Sequence, residues 1–175
     1  MKISKNFEIY GFILITIISI VTLWNPTANY LQFYNGIKEL TLKVTRSSLT
    51  FIEEDRVLLA LNATICNPTR YMGIRIVSLM FRLCLIDVNV QEELAYVRIW
   101  FKEEPGELIE PYSSISKKYD LNINLSGKRE CAAIIKRYIE NAEKIPFYLV
   151  DIRIDIFTFM GRMMIPYENL PLDEV

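Results

Sequence analysis

Residues 56–87 read RVLLALNATICNPTRYMGIRIVSLMFRLCLID. Val57, Leu59, Leu61, Ala63 and Ile65 alternate with other residues along one face, and Val77, Leu79, Phe81, Leu83 and Leu85 repeat the pattern. A period of two sends successive side chains to opposite sides of an extended chain, so each run reads as a strand with one buried face. Between them stand Asn67-Pro68 and Gly73, the residue types that turn a chain.

The same period continues downstream. Tyr119, Leu121, Ile123 and Leu125 alternate with Lys118, Asp120, Asn122 and Asn124. Val150, Ile152, Ile154 and Ile156 alternate with Asp151, Arg153 and Asp155. Leu40–Val44 and Leu94–Phe101 are weaker strands, and Met160-Gly161 predicts a hairpin leading into Arg162–Ile165. From Lys128 to Ala142 the period changes. Cys131, Ile134, Ile135, Tyr138, Ile139 and Ala142 share one side of a helix. Ser126 is its expected N-cap, with Glu130 one place late for a capping box, and Pro146 bars its continuation. Short strands separated by turns predict an all-β chain. The expected fold is an antiparallel β-sandwich of the immunoglobulin/fibronectin-like kind, with one amphipathic helix near the C-terminus.

Ahead of this domain, Ile9 to Trp24 holds 16 residues without a charge. As a helix they span about 24 Å, a little short of the ~30 Å hydrocarbon core. Tyr10 and Trp24 mark its two ends at headgroup level, Lys2 and Lys5 precede it, and Asn25-Pro26 is expected to stop it. A cleaved signal wants small residues before the cut, and cleavage after Ala28 would put Pro26 at the −3 position. A buried core helix would show a polar stripe, and only Gly11, Thr16, Ser19 and Thr22 interrupt this one. The preferred reading is an uncleaved transmembrane signal anchor. The chain then divides into a tail (1–8), an anchor (9–24), a linker (25–36) and a β domain (37–175). The expected topology is single-pass, with the N-terminus cytoplasmic and the domain extracytoplasmic. Lys38, Lys43 and Arg46 make the charge asymmetry weak.

The chain has 175 residues, a net charge of −1, 51% apolar residues and no histidine. Without the 16-residue segment the remainder falls to roughly 48% apolar, ordinary for a soluble domain. No histidine means no Ser-His-Asp or Cys-His pair, no HExxH zinc site and no imidazole proton shuttle. The charge balance supplies no field for nucleic acid.

The order of features resembles the late embryogenesis abundant group 2 family, also called the water-stress and hypersensitive-response domain. Asn67-Pro68 closes one strand, and Gly73-Ile74-Arg75-Ile76 leads into the next. A polar strand pair, a single helix and a strand–turn–strand ending at Pro166 follow. The resemblance covers about residues 37–170, while 90–111 departs from the pattern. It implies a small β-sandwich with a helix, often behind a membrane anchor, associated with stress tolerance and in some relatives with lipid contact.

No chemistry converges elsewhere. Ser114-Ile115-Ser116-Lys117 matches S-x-x-K, but it precedes a strand and lacks the partner motifs. Cys66, Cys84 and Cys131 are expected to stay unpaired. Asp151 and Asp155 sit about 13 Å apart on one strand, too far for one ion, with Arg153 between them as an ion-pair partner. Glu103–Glu110 reads as a solvated loop, with a cation site as its alternative. Asn62 and Asn124 begin N-x-[ST] triplets on wet strand faces and are candidate glycosylation sites. Phe157 interrupts a polar face and is a candidate contact for a partner or lipid. The expectation is a non-enzymatic, membrane-tethered interaction or protective module with no cofactor and no metal. Its partners are membrane lipid through the anchor and a protein or lipid at the β domain. The alternative is a lipid-binding or lipid-transfer module.

Overall fold

The computed structural model describes residues 5–88 and 90–174. Lys2, and with it the start of the expected tail, lies outside the described residues. Helix α1 (Lys5–Lys38) leads into ten strands: β1 (Thr41–Glu53), β2 (Arg56–Asn67), β3 (Ile74–Asp87), β4 (Val90–Trp100), β5 (Glu107–Ile109), β6 (Ser113–Asn124), β7 (Phe147–Thr158), β8 (Gly161–Pro166), β9 (Leu170–Pro171) and β10 (Asp173–Glu174). A second helix, α2 (Arg129–Glu140), connects β6 to β7.

The strands form two mainly antiparallel sheets. One has the order β10-β1-β2-β6, and the other β4-β3-β7-β8 with β5 on β3 and β9 on β7. The short β1–β10 pairing is parallel. The alternating residues make the core as their period requires. Val57, Leu59, Leu61, Ala63 and Ile65 from the first sheet join Leu79, Phe81, Leu83, Leu85, Ile152, Ile154 and Ile156 from the second in one apolar cluster. Each fully buried aliphatic side chain stabilises such a cluster by roughly 1.5–3 kcal/mol.

Bulges adjust the pattern. Pairing of β3 with β7 shifts between Met80 and Arg82, where Asp151 has φ +52°. The extra residue reverses which side chains face inward. Leu149 is therefore fully buried, and Val150, expected on the core face, is only half-buried.

Three further expectations change. The linker expected at 25–36 is helix, and α1 continues through Pro26 to Lys38. Proline keeps a helical φ but cannot donate to the Thr22 carbonyl and clashes with that turn, a cost of about 3 kcal/mol. Burial at the far end offsets it: Phe33 is 4% exposed, and Gly36 and Leu40 are also buried. Ser126 does not cap α2. The first helical residue is Arg129, after a tight turn in which the Lys128 amide donates to the Leu125 carbonyl at 2.8 Å. Only Cys131 and Ile135 of its apolar face are buried, and Ala142, at φ +53°, has left the helix. Finally, Glu107–Ile109 pairs with β3 instead of lying in a loop.

Candidate functional site

The motif Asn67-Pro68…Gly73 builds the surface on which α1 lands. Asn67 ends β2, facing Ser113 of β6, and its side chain is fully buried. Its Nδ2 donates to the Tyr71 carbonyl at 2.8 Å. Its Oδ1 accepts from the Thr69 amide at 3.1 Å and the Thr69 hydroxyl at 2.7 Å. The Tyr71 amide in turn donates to the Thr69 Oγ1 at 3.2 Å. This is an Asx turn tightened by a second hydroxyl, the local alternative to strand pairing that Asn and Thr offer a backbone. Gly73 then takes φ +126°, where a side chain is strained, and a Cβ there would sit 3.3 Å from the Tyr71 hydroxyl.

The product of the turn is the position of Tyr71. Its ring packs edge-on against Phe33 of α1, centroids 5.7 Å apart. A Cβ on Gly36 would come within 3.1 Å of the Tyr71 Cβ, so a glycine lets the helix approach closely. Burial pushes the Tyr71 phenol up from its ordinary pKa. Phe159, at the tip of the β7–β8 hairpin, completes the seat with its ring 5.0 Å from Phe33. That hairpin forms where Met160-Gly161 predicts it, as a two-residue loop between Thr158 and Gly161. Beside the seat, a cleft of about 430 Å³ of mixed character opens between the end of α1 and β8. Ile37, Leu40, Ile154, Ile165, Pro166 and Leu170 provide its apolar lining, and Lys38, Tyr167 and Glu168 its polar part.

In the opposite direction α1 is bare. From Phe12 to Thr27 every residue is exposed, including Trp24, and Tyr10 is exposed ahead of them. Among the described residues this is the one helix long and apolar enough to cross a membrane.

A second polar cluster occupies the outer face of the β3–β4–β7–β8 sheet. Asp155 is 0% exposed. Arg162 donates to both of its oxygens, Nε to Oδ1 at 3.0 Å and NH2 to Oδ2 at 2.6 Å. Ser78 Oγ donates to Oδ2 at 3.4 Å, and Arg98 lies 3.6 Å away with its guanidinium 3.9 Å over the Trp100 ring. Glu104 takes the other arm of Arg162 at 2.5 Å. Asp155, and then Glu104, hold the Arg162 guanidinium above its ordinary pKa. The expected partner, Arg153, is displaced from this role because Arg162 reaches across from the neighbouring strand in bidentate geometry. Asp151 pairs with Arg82 instead.

The remaining candidates fall apart in space or into ordinary structure. Ser114 and Lys117 lie three apart on β6 and therefore point to opposite faces. No group of three or more metal-ligating side chains converges among the described residues. All three cysteines are free, and burial pushes the Cys84 and Cys131 thiols up from their ordinary values. Asn124 is exposed at the end of β6, its Oδ1 accepting from the Ser126 amide at 2.8 Å. Asn62 sits half-buried in mid-sheet, between Thr45 and Lys118. Phe157 is half-buried.

No family model and no curated protein matches the chain. Among solved structures it is similar to a structural-genomics target known by X-ray, at 11% identity and TM-score 0.46, covering 77% of this chain and 85% of that one. It is similar to a protein described as ApaA from Bordetella pertussis, at 13% identity and TM-score 0.45, covering 78% and 94%. A solution structure described as a late embryogenesis abundant protein is similar at 16% identity and TM-score 0.37, covering 92% and 88%. These likenesses are distant.

Proposed function

We propose that the protein is a non-enzymatic, membrane-tethered β-sandwich of the late embryogenesis abundant group 2 type, acting in interaction or protection at a membrane surface. In this reading α1 spans the bilayer once, with its N-terminus cytoplasmic and the β domain on the other side. The observation that carries it is the burial of Phe33 against Tyr71. The motif that resembles the family holds the residue on which the anchor helix seats, so motif and anchor serve one piece of architecture. The S-x-x-K match does not assemble as a pair, because Ser114 and Lys117 point to opposite faces of β6. Detergent, and not high salt, is expected to release the full chain from membranes, because salt screens charge and leaves a buried helix in place. Release by salt alone would overturn the tether. Protease accessibility of the domain in intact cells tests the orientation.

A second reading, lipid binding, is favoured by the cleft at the foot of α1, whose apolar lining suits an acyl chain. Exchange of a fluorescent fatty acid onto the purified protein, competed by unlabelled fatty acid, tests it.

A further inference from the structure

We infer that the loop tips beside α1 seat in the headgroup layer of the bilayer that α1 spans, so that the domain lies on the membrane instead of hanging free of it. The inference rests on the membrane-spanning reading of α1. Three observations carry it.

The first is the absence of slack. If Ile9–Trp24, about 24 Å long, is centred in a hydrocarbon core of about 30 Å, Phe33 lies nine residues beyond Trp24 and about 10 Å outside the core. That is within a few ångströms of the outer margin of the headgroup layer on a bilayer of roughly 40–45 Å total, within reach of a side chain. Phe33 is already buried in the domain, and the intervening residues are helix. A straight helical stalk of this length cannot carry the domain farther out.

The second is which end of the domain faces inward. Thr41 pairs with Cys66, Asn67 with Ser113, Ile74 with Ile109, and Thr158 with Gly161. The turns beyond these pairs therefore gather at the end where α1 enters. Phe159 touches Phe33 directly, and the Tyr112 amide donates to Thr69 beside Tyr71.

The third is what those turns expose. Phe159 is 61% exposed although it touches α1, and Met160, Met72 and Tyr112 are exposed as well. Tyr30 and Tyr34 present exposed rings from α1 at the same level. Aromatic residues with one apolar and one wet end favour this layer. Apolar side chains at loop tips on several separate turns, all around one helix, fit a lipid interface better than a compact protein partner.

Single-tryptophan proteins in phosphatidylcholine vesicles test the inference with brominated lipids as quenchers. Trp24 alone (Trp100→Phe) reports on the anchor. Phe159→Trp, in a background of Trp24→Phe and Trp100→Phe, reports on the hairpin. Val88→Trp in the same background reports on the opposite end, where Val88 is 93% exposed. The expected result is that shallow bromines remove about half of the emission at 159, as for a ring at headgroup level, and leave the Val88 reporter unchanged. Met160→Trp repeats the measurement if the first variant folds poorly. Quenching at Trp24 with none at 159 or 160 would overturn the inference and leave the anchor standing. No quenching at Trp24 would overturn the anchor, and the inference with it.

Discussion

The side-chain amide of Asn67 donates to the backbone carbonyl of Tyr71 at 2.8 Å inside the protein, with no access to water. That bond closes the turn on which α1 seats. Asn67→Ala leaves the Tyr71 carbonyl and the Thr69 amide and hydroxyl without this partner. A buried group left unpaired costs about 1–3 kcal/mol. The variant should lose roughly 2–3 kcal/mol in urea unfolding of the full chain in detergent micelles. A loss under 0.5 kcal/mol would show that the turn holds without the amide.

Phe33→Ala should uncouple helix from domain while leaving the sheets folded. The ring contacts Tyr71 and Phe159, and truncating a buried phenylalanine costs about 3–5 kcal/mol where the site cannot collapse. Here the cost falls on docking. Limited proteolysis should cut the variant between 28 and 40 much faster than the parent, with the domain fragment resistant. Equal cutting rates would contradict a docked helix.

Arg162→Met removes the bidentate partner of a fully buried carboxylate and leaves Asp155 with Ser78 at 3.4 Å and Arg98 at 3.6 Å. Breaking a buried pair from one side typically costs about 3–5 kcal/mol. Arg162 is itself partly exposed, so about 2–3 kcal/mol is expected in chemical denaturation. The double variant Asp155→Leu with Arg162→Met should recover part of that loss, because no uncompensated charge remains. A double variant worse than the sum of the two single changes would refute this account.

Asp87 links the sheets to α2. Its carboxylate accepts from the Val88 amide at 2.9 Å, the Tyr138 hydroxyl at 3.1 Å and Arg137 at 2.7 Å. The Val88 bond contributes most, and together these contacts hold the carboxyl below its ordinary pKa. The folded value therefore lies below the unfolded one, about 3.9. Asp87 adds stability above that unfolded value, and the contribution is lost as pH falls through the folded value. Asp87→Asn should narrow the difference in urea midpoint between pH 7 and pH 3. An unchanged difference would mean that the carboxylate is not coupled to folding.

Much of this architecture was legible in the residues because periodicity is a local signal. The runs at 57–65 and 77–85 became β2 and β3 with their alternating residues buried, and Met160-Gly161 marked a real hairpin. What the residues hid was tertiary. Pro26 ends a helix in most contexts, and only the seat made by Tyr71 and Phe159 reveals why the helix persists. The Asp151 bulge reversed the β7 pattern without a local signature, since aspartate is compatible with either parity. Arg162 lies seven residues from Asp155 across a turn, so the ion pair emerges only once β7 and β8 are registered. The N-x-[ST] triplets gave no hint that Asn62 stands between two paired neighbours in mid-sheet.

The unbroken run of α1 from the apolar stretch into the domain makes the junction sensitive to phase. Each residue of a helix turns the chain by about 100° and advances it 1.5 Å. One residue inserted between Ala28 and Tyr30 would leave Phe33 on Tyr71 and turn the whole domain about 100° relative to the apolar stretch, although every contact residue is intact. Seven inserted residues would bring it back to within about 20° and lift the domain roughly 10 Å. Azimuth and height are thus set by counting residues, and the domain meets its surroundings in one fixed heading.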